Sequence, residues 1–518
     1  MRQVLYLLIV TSGLFFSACK TNEGNNIADE KDAVISYRPL YHFTTDSNWI
    51  NDPNGLVYAN GQYHVFAQYN PYGDKWGHMS WAHAVSSDLF EWKEWPVAIP
   101  EINNGDSTVT MIFSGSAVVD SFNTSGFGKD GQVPLVAIYT SHVDKGGKGI
   151  AQHQSIAYSL DEGKTWQQYA NNPVLDIQLT DFRDPKVFWY APENKWVMVV
   201  VKALEYKVQL YASVDLKKWN LLSEFGPAGN TTKIWECPDL FPLKVEGTGE
   251  QKWVLSLSAG HPQKDFIAVQ YFIGNFDGKT FTADQLNYPL YIDYGKDFYA
   301  GVTYNNIPAA DGRRIMIGWA NCWNYANDIP TKGFRGMYSV PRALTLKNTS
   351  NGLRLFQLPV AELDKYTQSI CSNAGIELDN STRTLDSAKG TSLDISFTLL
   401  AGAEAGINVF KSGTEETTIT YNSNTKTISI DRMRSGDTSF NKAFPSIETV
   451  QLDSATEKIK LRILTDKSVV EVFVNDGAYA LTDLVFPKMN NGGVELFSKN
   501  GKAVFSDISI RKVNKTIH

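Results

Sequence analysis

The sequence predicts an all-β protein, and three observations carry that prediction. Short runs rich in β-branched and aromatic residues, such as Tyr63-His64-Val65-Phe66-Ala67, Leu135-Val136-Ala137-Ile138-Tyr139 and Trp196-Val197-Met198-Val199-Val200-Val201, alternate with Gly, Asn, Asp and Pro turns. No long stretch repeats its apolar residues with the period of a helix. A turn holding a Ser, an Asp and a closing aromatic recurs, ending at Trp92, Trp166 and Trp219, with a shorter copy ending at Phe281. The spacing of these turns fits one four-stranded propeller blade each, with similar hairpins in an unrelated sandwich as the alternative.

In chain order, the first segment predicted is an export signal. Arg2 precedes an apolar run over 4–16, too short for the roughly twenty residues that span a bilayer. Ser17 and Ala18 then lead to Cys19, a pattern that resembles a bacterial lipoprotein signal in which the Cys carries the lipid, although Phe16 stands where Leu is usual. Residues 20–36 read as a polar tether, without the dense acidic run that often accompanies export to the outer face, so a periplasmic position is favoured over the cell surface. The aromatic-rich, blade-like part is expected over 37–356. A linker follows at 357–364, where Leu358-Pro359 ends that part. Beyond it Trp disappears and strictly alternating strands take over, as in Ser468-Val469-Val470-Glu471-Val472-Phe473-Val474 closed by the hairpin signal Asn475-Asp476-Gly477. Residues 365–518 are therefore expected to form a β-sandwich.

Bulk composition removes several functions. A chain of 518 residues can bury two or more cores, and a net charge of −7 without a Lys/Arg run leaves no footprint for nucleic acid. Beyond Cys19, the thiols Cys237, Cys322 and Cys371 are odd in number and lack CxxC spacing, so neither a disulfide framework nor a zinc site is expected. His78 and His83 sit five apart without a helical context and read as structural. No metal or other cofactor is expected, and nothing in the sequence sets the oligomeric state.

Three acidic motifs stand beside Trp or Arg: Trp49-Ile50-Asn51-Asp52-Pro53-Asn54-Gly55, Phe182-Arg183-Asp184-Pro185 and Trp235-Glu236-Cys237-Pro238-Asp239. Taken singly, Asp-Pro-Asn-Gly reads as a good turn and Arg-Asp-Pro as a strand entry with an ion pair. Glu236 between Trp235 and Cys237 is harder to explain that way. A carboxylate in apolar company is costly unless protonated or paired, and a raised pKa is what a general acid needs.

Together and in this order, the three motifs resemble the signature of glycoside hydrolase family 32, the invertases, inulinases and levanases. Gln68-Tyr69-Asn70-Pro71, Trp76-Gly77, Phe113-Ser114-Gly115-Ser116, Asp297-Phe298-Tyr299-Ala300 and Gly318-Trp319 extend the match, as do Ile430-Asp431-Arg432 and Glu471-Val472-Phe473 in the tail. The resemblance implies a five-bladed β-propeller followed by a β-sandwich, with the site in the propeller funnel. It implies Asp52 as nucleophile on C2 of fructose and Glu236 as acid/base, set about 5 Å apart for retention. Asp184 would hold fructose hydroxyls, with Arg183 orienting that carboxylate and keeping its charge. Asn51, Gln68 and Ser114 match hydroxyl-binding positions. Trp49, Trp76, Phe113 and Trp319 are substrate-binding candidates, the three Trp as pocket walls. Asp239 and Tyr299 are further candidates.

The substrates so implied are levan, inulin, fructo-oligosaccharides and sucrose. The stretch 112–141 looks most like bacterial exo-inulinases and levanases, which points to exo-action. Endo-action, transfer to a sugar acceptor, and a non-catalytic fructan-binding lipoprotein are the alternatives.

Overall fold

The structure is a computed structural model, which describes residues 36–514 except 262–263, 286–288, 454–457 and 489–491. The expected signal and lipid-bearing Cys19 lie outside the described residues. Among those residues no helix is long and apolar enough to cross a membrane.

Five antiparallel sheets succeed one another along residues 48–359, and two six-stranded sheets follow. In each of the five, the innermost strand comes from the start of its sequence unit: Asn48–Ala59, Val109–Val119, Phe182–Tyr190, Glu236–Lys244 and Tyr299–Thr303. Each inner strand packs beside the next, and the fifth packs beside the first, so the sheets form a closed ring. This is the five-bladed propeller. A short parallel pairing of Phe334–Arg335 with Asn48 and Trp49 ties the last unit to the first blade.

The apolar runs are explained by burial on both faces of a blade. In the strand Lys195–Lys202, Val197, Val199 and Val201 pack towards the fourth blade while Met198 and Val200 pack towards the second. A strand covered on both sides reads as a continuous apolar run rather than an alternation.

The recurrent turn closes the outer edge of the first three blades in one geometry. Trp92, Trp166 and Trp219 each donate Nε1–H to the carbonyl three residues back, Leu89, Gly163 and Leu216, at 3.0, 2.9 and 3.1 Å. Asp88, Asp161 and Asp215 accept backbone N–H groups within the same turns. The fourth blade keeps the Asp, as Asp277 accepting from Lys279 and Thr280, and closes on Phe281. In the fifth blade the corresponding hairpin is a plain Thr349–Gly352 turn. That is why four copies are visible in a sequence whose ring has five blades.

The two later sheets face one another across a core of Ile, Leu, Val and Phe, the sandwich expected from the alternating tail. The fifth blade's last strand runs to Pro359, through the beginning of the expected linker.

Candidate active site

All five inner strands carry a β-bulge at the same end, and the candidate residues sit on the bulges. The register slips between Ile50 and Pro53, Ile112 and Gly115, Arg183 and Lys186, Glu236 and Asp239, and Tyr299 and Val302. A bulge sets two residues against one, bends the strand and re-aims side chains. Asp184, Cys237 and Ala300 take the positive φ values of 65°, 47° and 51° that such a bend needs. Pro185 and Pro238 occupy bulge positions, where no ladder N–H is required. The Asp-Pro and Cys-Pro pairs are thus structural devices that point Asp52, Ser114, Asp184, Glu236 and Tyr299 into one funnel, one from each blade.

Asp52 Oδ2 accepts from Ser114 Oγ at 2.6 Å and lies 3.6 Å from Cys237 Sγ, while its buried Oδ1 has no hydrogen-bond partner. Asp184 Oδ2 accepts the backbone N–H of Cys237 at 2.9 Å and lies 3.7 Å from the same sulfur. Asp184's own N–H donates to Thr140 Oγ1. The Cys237 thiol therefore sits between two carboxylates as a weak donor, and burial together with those charges pushes its pKa well up.

Burial, reinforced by the charge of Glu236, raises the pKa of Asp52, and Ser114, Asn51 and Cys237 pull it back. Burial pushes Asp184 up to about 7 despite the nearby Arg183 cation, with Glu236 and Asp52 adding to the rise. Glu236 is the most open of the three, its side chain about a fifth exposed (22%). Its Oε1 accepts from Arg183 Nε at 3.1 Å and its Oε2 from the Tyr299 hydroxyl at 2.6 Å. Burial and the neighbouring glutamate push the Tyr299 phenol well up, so it remains a donor.

Three expectations need correction. Arg183 does not clasp Asp184: its guanidinium bonds Glu236, Gln152 and Asp181, because the bulge at 184 turns the two adjacent side chains apart. Glu236 is not in apolar company, since Trp235 turns into the core between the third and fourth blades and donates to Asn230 O. Trp49 and Trp319 are buried to 0% exposure, Trp49 stacked on Trp323 and Trp319 tilted against it, so they are not exposed walls. Trp49 instead holds Asn51 from behind, donating Nε1–H to Asn51 Oδ1 at 2.8 Å.

The remaining candidates fall where a binding surface needs them or just beneath it. Trp76 is 42% exposed and meets Phe113 edge-on at 6.2 Å, and Phe113 stacks flat on His142 at 4.3 Å. Gln68 is buried opposite the first bulge and donates to Ile112 O, linking the first two blades. Asp239 lies deeper in the ring, paired with Lys186 at 3.1 Å and accepting from Thr303, which makes it a structural carboxylate. His83 stacks on Phe66 and hydrogen-bonds His64, a core role, whereas His78 is exposed beside Glu101. Thr140, Gln152 and Tyr338, which donates to Asp52 O, support the site without any local sequence signal. Among the described residues no cluster of His, Cys, Asp or Glu could hold a metal ion.

Residues 42–359 match the glycosyl hydrolases family 32 N-terminal domain, and residues 362–512 match the family 32 C-terminal domain. The chain is 43% identical to a levanase of Bacillus subtilis strain 168, covering 99% of this chain and 75% of that protein. It is 39% identical to an extracellular exo-inulinase of Aspergillus niger, covering 93% and 95% of the two chains. The crystal structure of exo-inulinase from Aspergillus awamori superposes with a TM-score of 0.87 at 38% identity, over 93% of this chain and 99% of that one.

Proposed function

The chain belongs to glycosyl hydrolase family 32, and within that family we propose that Asp52, Glu236 and Asp184 divide the work of releasing fructose from β-fructosides. The protein is a glycosidase of the fructan-hydrolysing kind, and the names of its levanase and exo-inulinase relatives support exo-action; the retaining route is part of this proposal. The single observation that carries the division of labour is the contrast between the two oxygens of Asp52. Oδ2 is held by Ser114, which fixes the carboxylate, and Oδ1 keeps its lone pairs free.

In this reading Oδ1 of Asp52 attacks C2 of the terminal fructosyl unit while Glu236 protonates the departing glycosidic oxygen. Glu236 then takes a proton from water, which opens the fructosyl ester on Asp52 with a second inversion. Its greater exposure suits a group that must reach a leaving group directed towards solvent. The Arg183 guanidinium and the Tyr299 hydroxyl hold both its oxygens, so its orientation is set before substrate arrives. Asp184, recessed beside Asp52, accepts fructose hydroxyl protons in bonds that strengthen as positive charge grows at C2. Asn51, Gln68 and Ser114 bind the same ring, while Trp76 and Phe113 offer apolar faces for the next unit.

We also propose that residues 1–19 direct export and that Cys19 carries a lipid anchor, with the enzyme facing the periplasm. The Aspergillus niger relative is named an extracellular enzyme, which supports export. Labelled fatty acid is expected to be incorporated into the parent protein and not into Cys19→Ala; equal labelling of the two contradicts the anchor.

A time course on levan, inulin and sucrose, with products resolved by chain length, tests the reading. Fructose as the sole early product is expected. Longer early oligomers mean endo-action, kestose-like products from sucrose mean transfer, and no product at all means binding without catalysis.

A further inference from the structure

The segment between the fourth and fifth blades leaves the propeller and binds the sandwich. Along 293–297 it lies against the sandwich strand Tyr479–Leu484: Tyr294 N–H donates to Ala480 O at 2.8 Å, Asp297 N–H to Thr482 O at 2.9 Å, and Lys296 N–H to Asp483 Oδ1 at 2.8 Å. The sandwich answers in kind, with Thr482 N–H donating to Asp293 Oδ1 and Leu484 N–H to Asp297 Oδ2, both at 2.8 Å. Gly295 permits this approach, since a Cβ there would stand 2.2 Å from the backbone N and O of Thr482.

Asp297 is held by its side chain as well as its backbone. Its Oδ2 also pairs with the sandwich's Arg432, and its Oδ1 accepts from Tyr325, whose oxygen in turn accepts from Arg432 at 2.9 Å. Asp297 and Arg432 are both fully buried. Two residues further on, Tyr299 donates to Glu236, and Ala300 turns through its bulge with its N–H on Ser258 Oγ. Phe298 between them is wedged beneath the Arg342 guanidinium at 4.4 Å, and Arg342 is itself bonded to Asp293 and to Glu471 of the sandwich.

We propose that the sandwich positions the acid/base: Arg432 and the Leu484 N–H fix Asp297, which sets Tyr299 and, through it, the orientation of Glu236. Asp297 and Arg432 are positioning residues, and the second domain belongs to the catalytic apparatus rather than serving as packing alone. This inference rests on Glu236 being the proton donor described above.

A leaving group that needs no proton separates positioning of the acid from general damage. Fluoride departs from β-fructosyl fluoride as an anion, whereas the glucose of sucrose must take a proton from Glu236 as its bond to C2 breaks. kcat/KM reports this first step alone. For Asp297→Asn, kcat/KM on sucrose is expected to fall about tenfold or more while the value on fructosyl fluoride falls less than about twofold. Tyr299→Phe should give the same split, and the double variant should resemble Tyr299→Phe alone, since both changes act through one path. Equal losses on both substrates, or losses that simply multiply in the double variant, overturn the proposal.

Removing one member of a buried ion pair can prevent folding. In that case Tyr325→Phe, which keeps the Arg432–Asp297 pair and removes one hydroxyl, must show the split at about threefold; equal or absent effects on the two substrates overturn the proposal. Glu236→Gln is the control. If it shows no split, the assignment of Glu236 fails together with this inference. If it shows the split and the Asp297 and Tyr325 variants do not, only the positioning role fails.

Discussion

The hydroxyl of Ser114 donates a 2.6 Å hydrogen bond to Oδ2 of Asp52, joining the bulges of two neighbouring inner strands. That bond is one of the few influences lowering an Asp52 pKa that burial and Glu236 raise. Ser114→Ala is therefore expected to move the acidic limb of the kcat/KM profile to higher pH, because Asp52, as the proposed nucleophile, must be ionised to attack. The maximum should fall about tenfold, the range for one hydrogen bond to a charged group. A pH–rate profile on sucrose checks both effects.

In its proposed role as a fructose-binding carboxylate, Asp184 costs stability. Its pKa rises from an ordinary 3.8 to about 7, so between those values the folded state holds a proton that the unfolded state has released. Stability consequently falls as pH rises through that window. Asp184→Asn should be inactive yet more stable than the parent by about 1–3 kcal/mol at pH 8, with the gain fading towards pH 4. Urea unfolding at the two pH values measures it, and an equal gain at both would contradict the assignment.

Thiol reactivity follows burial. Cys237 and Cys322 are buried, with the first pKa pushed well up by burial and adjacent carboxylates and the second to about 12 by burial, so neither supplies thiolate at pH 8. Cys371 is partly exposed. Iodoacetamide at pH 8 should modify Cys371 in folded protein lacking residues 1–19 and leave the other two untouched until denaturant is added, as peptide mass mapping will show.

His42 joins the domains. It lies fully buried between Asp466 at 3.1 Å and Glu471 at 3.0 Å of the sandwich. Burial disfavours its cation, but the two carboxylate bonds outweigh that and raise its pKa from 6.5 to about 9. The resulting stability is fully present below pH 6.5 and is lost as pH climbs through about 9. His42→Gln should cost on the order of 2–3 kcal/mol at pH 6 and much less at pH 10, read from unfolding curves at each pH.

Much of the fold was legible because blade turns are local chemistry. The Ser, Asp and Trp that close the first three blades make their bonds within a few residues, so the pattern survives as a sequence repeat. The fifth blade lacked that turn and was supplied only by family resemblance. The three carboxylates were likewise legible, since each sits in a motif whose Pro or Gly serves the bulge beside it. What stayed hidden was set by packing across strands. Arg183 leaves its neighbour Asp184 for Glu236 on another blade, and Trp49 and Trp319 turn away from the funnel although their motifs adjoin it. The grip of Arg432 on Asp297 spans the two domains, and no local pattern announces it.

In the proposed mechanism Asp52 forms a covalent fructosyl-enzyme which Glu236 then helps water to release. Glu236→Gln supplied with β-fructosyl fluoride can form that ester but not clear it efficiently. Intact-mass measurement followed by peptide mapping is expected to find one added fructosyl unit on the peptide containing Asp52, absent from an Asp52→Asn control. An unmodified enzyme that still turns over the fluoride, or an adduct on any other carboxylate, would contradict the account.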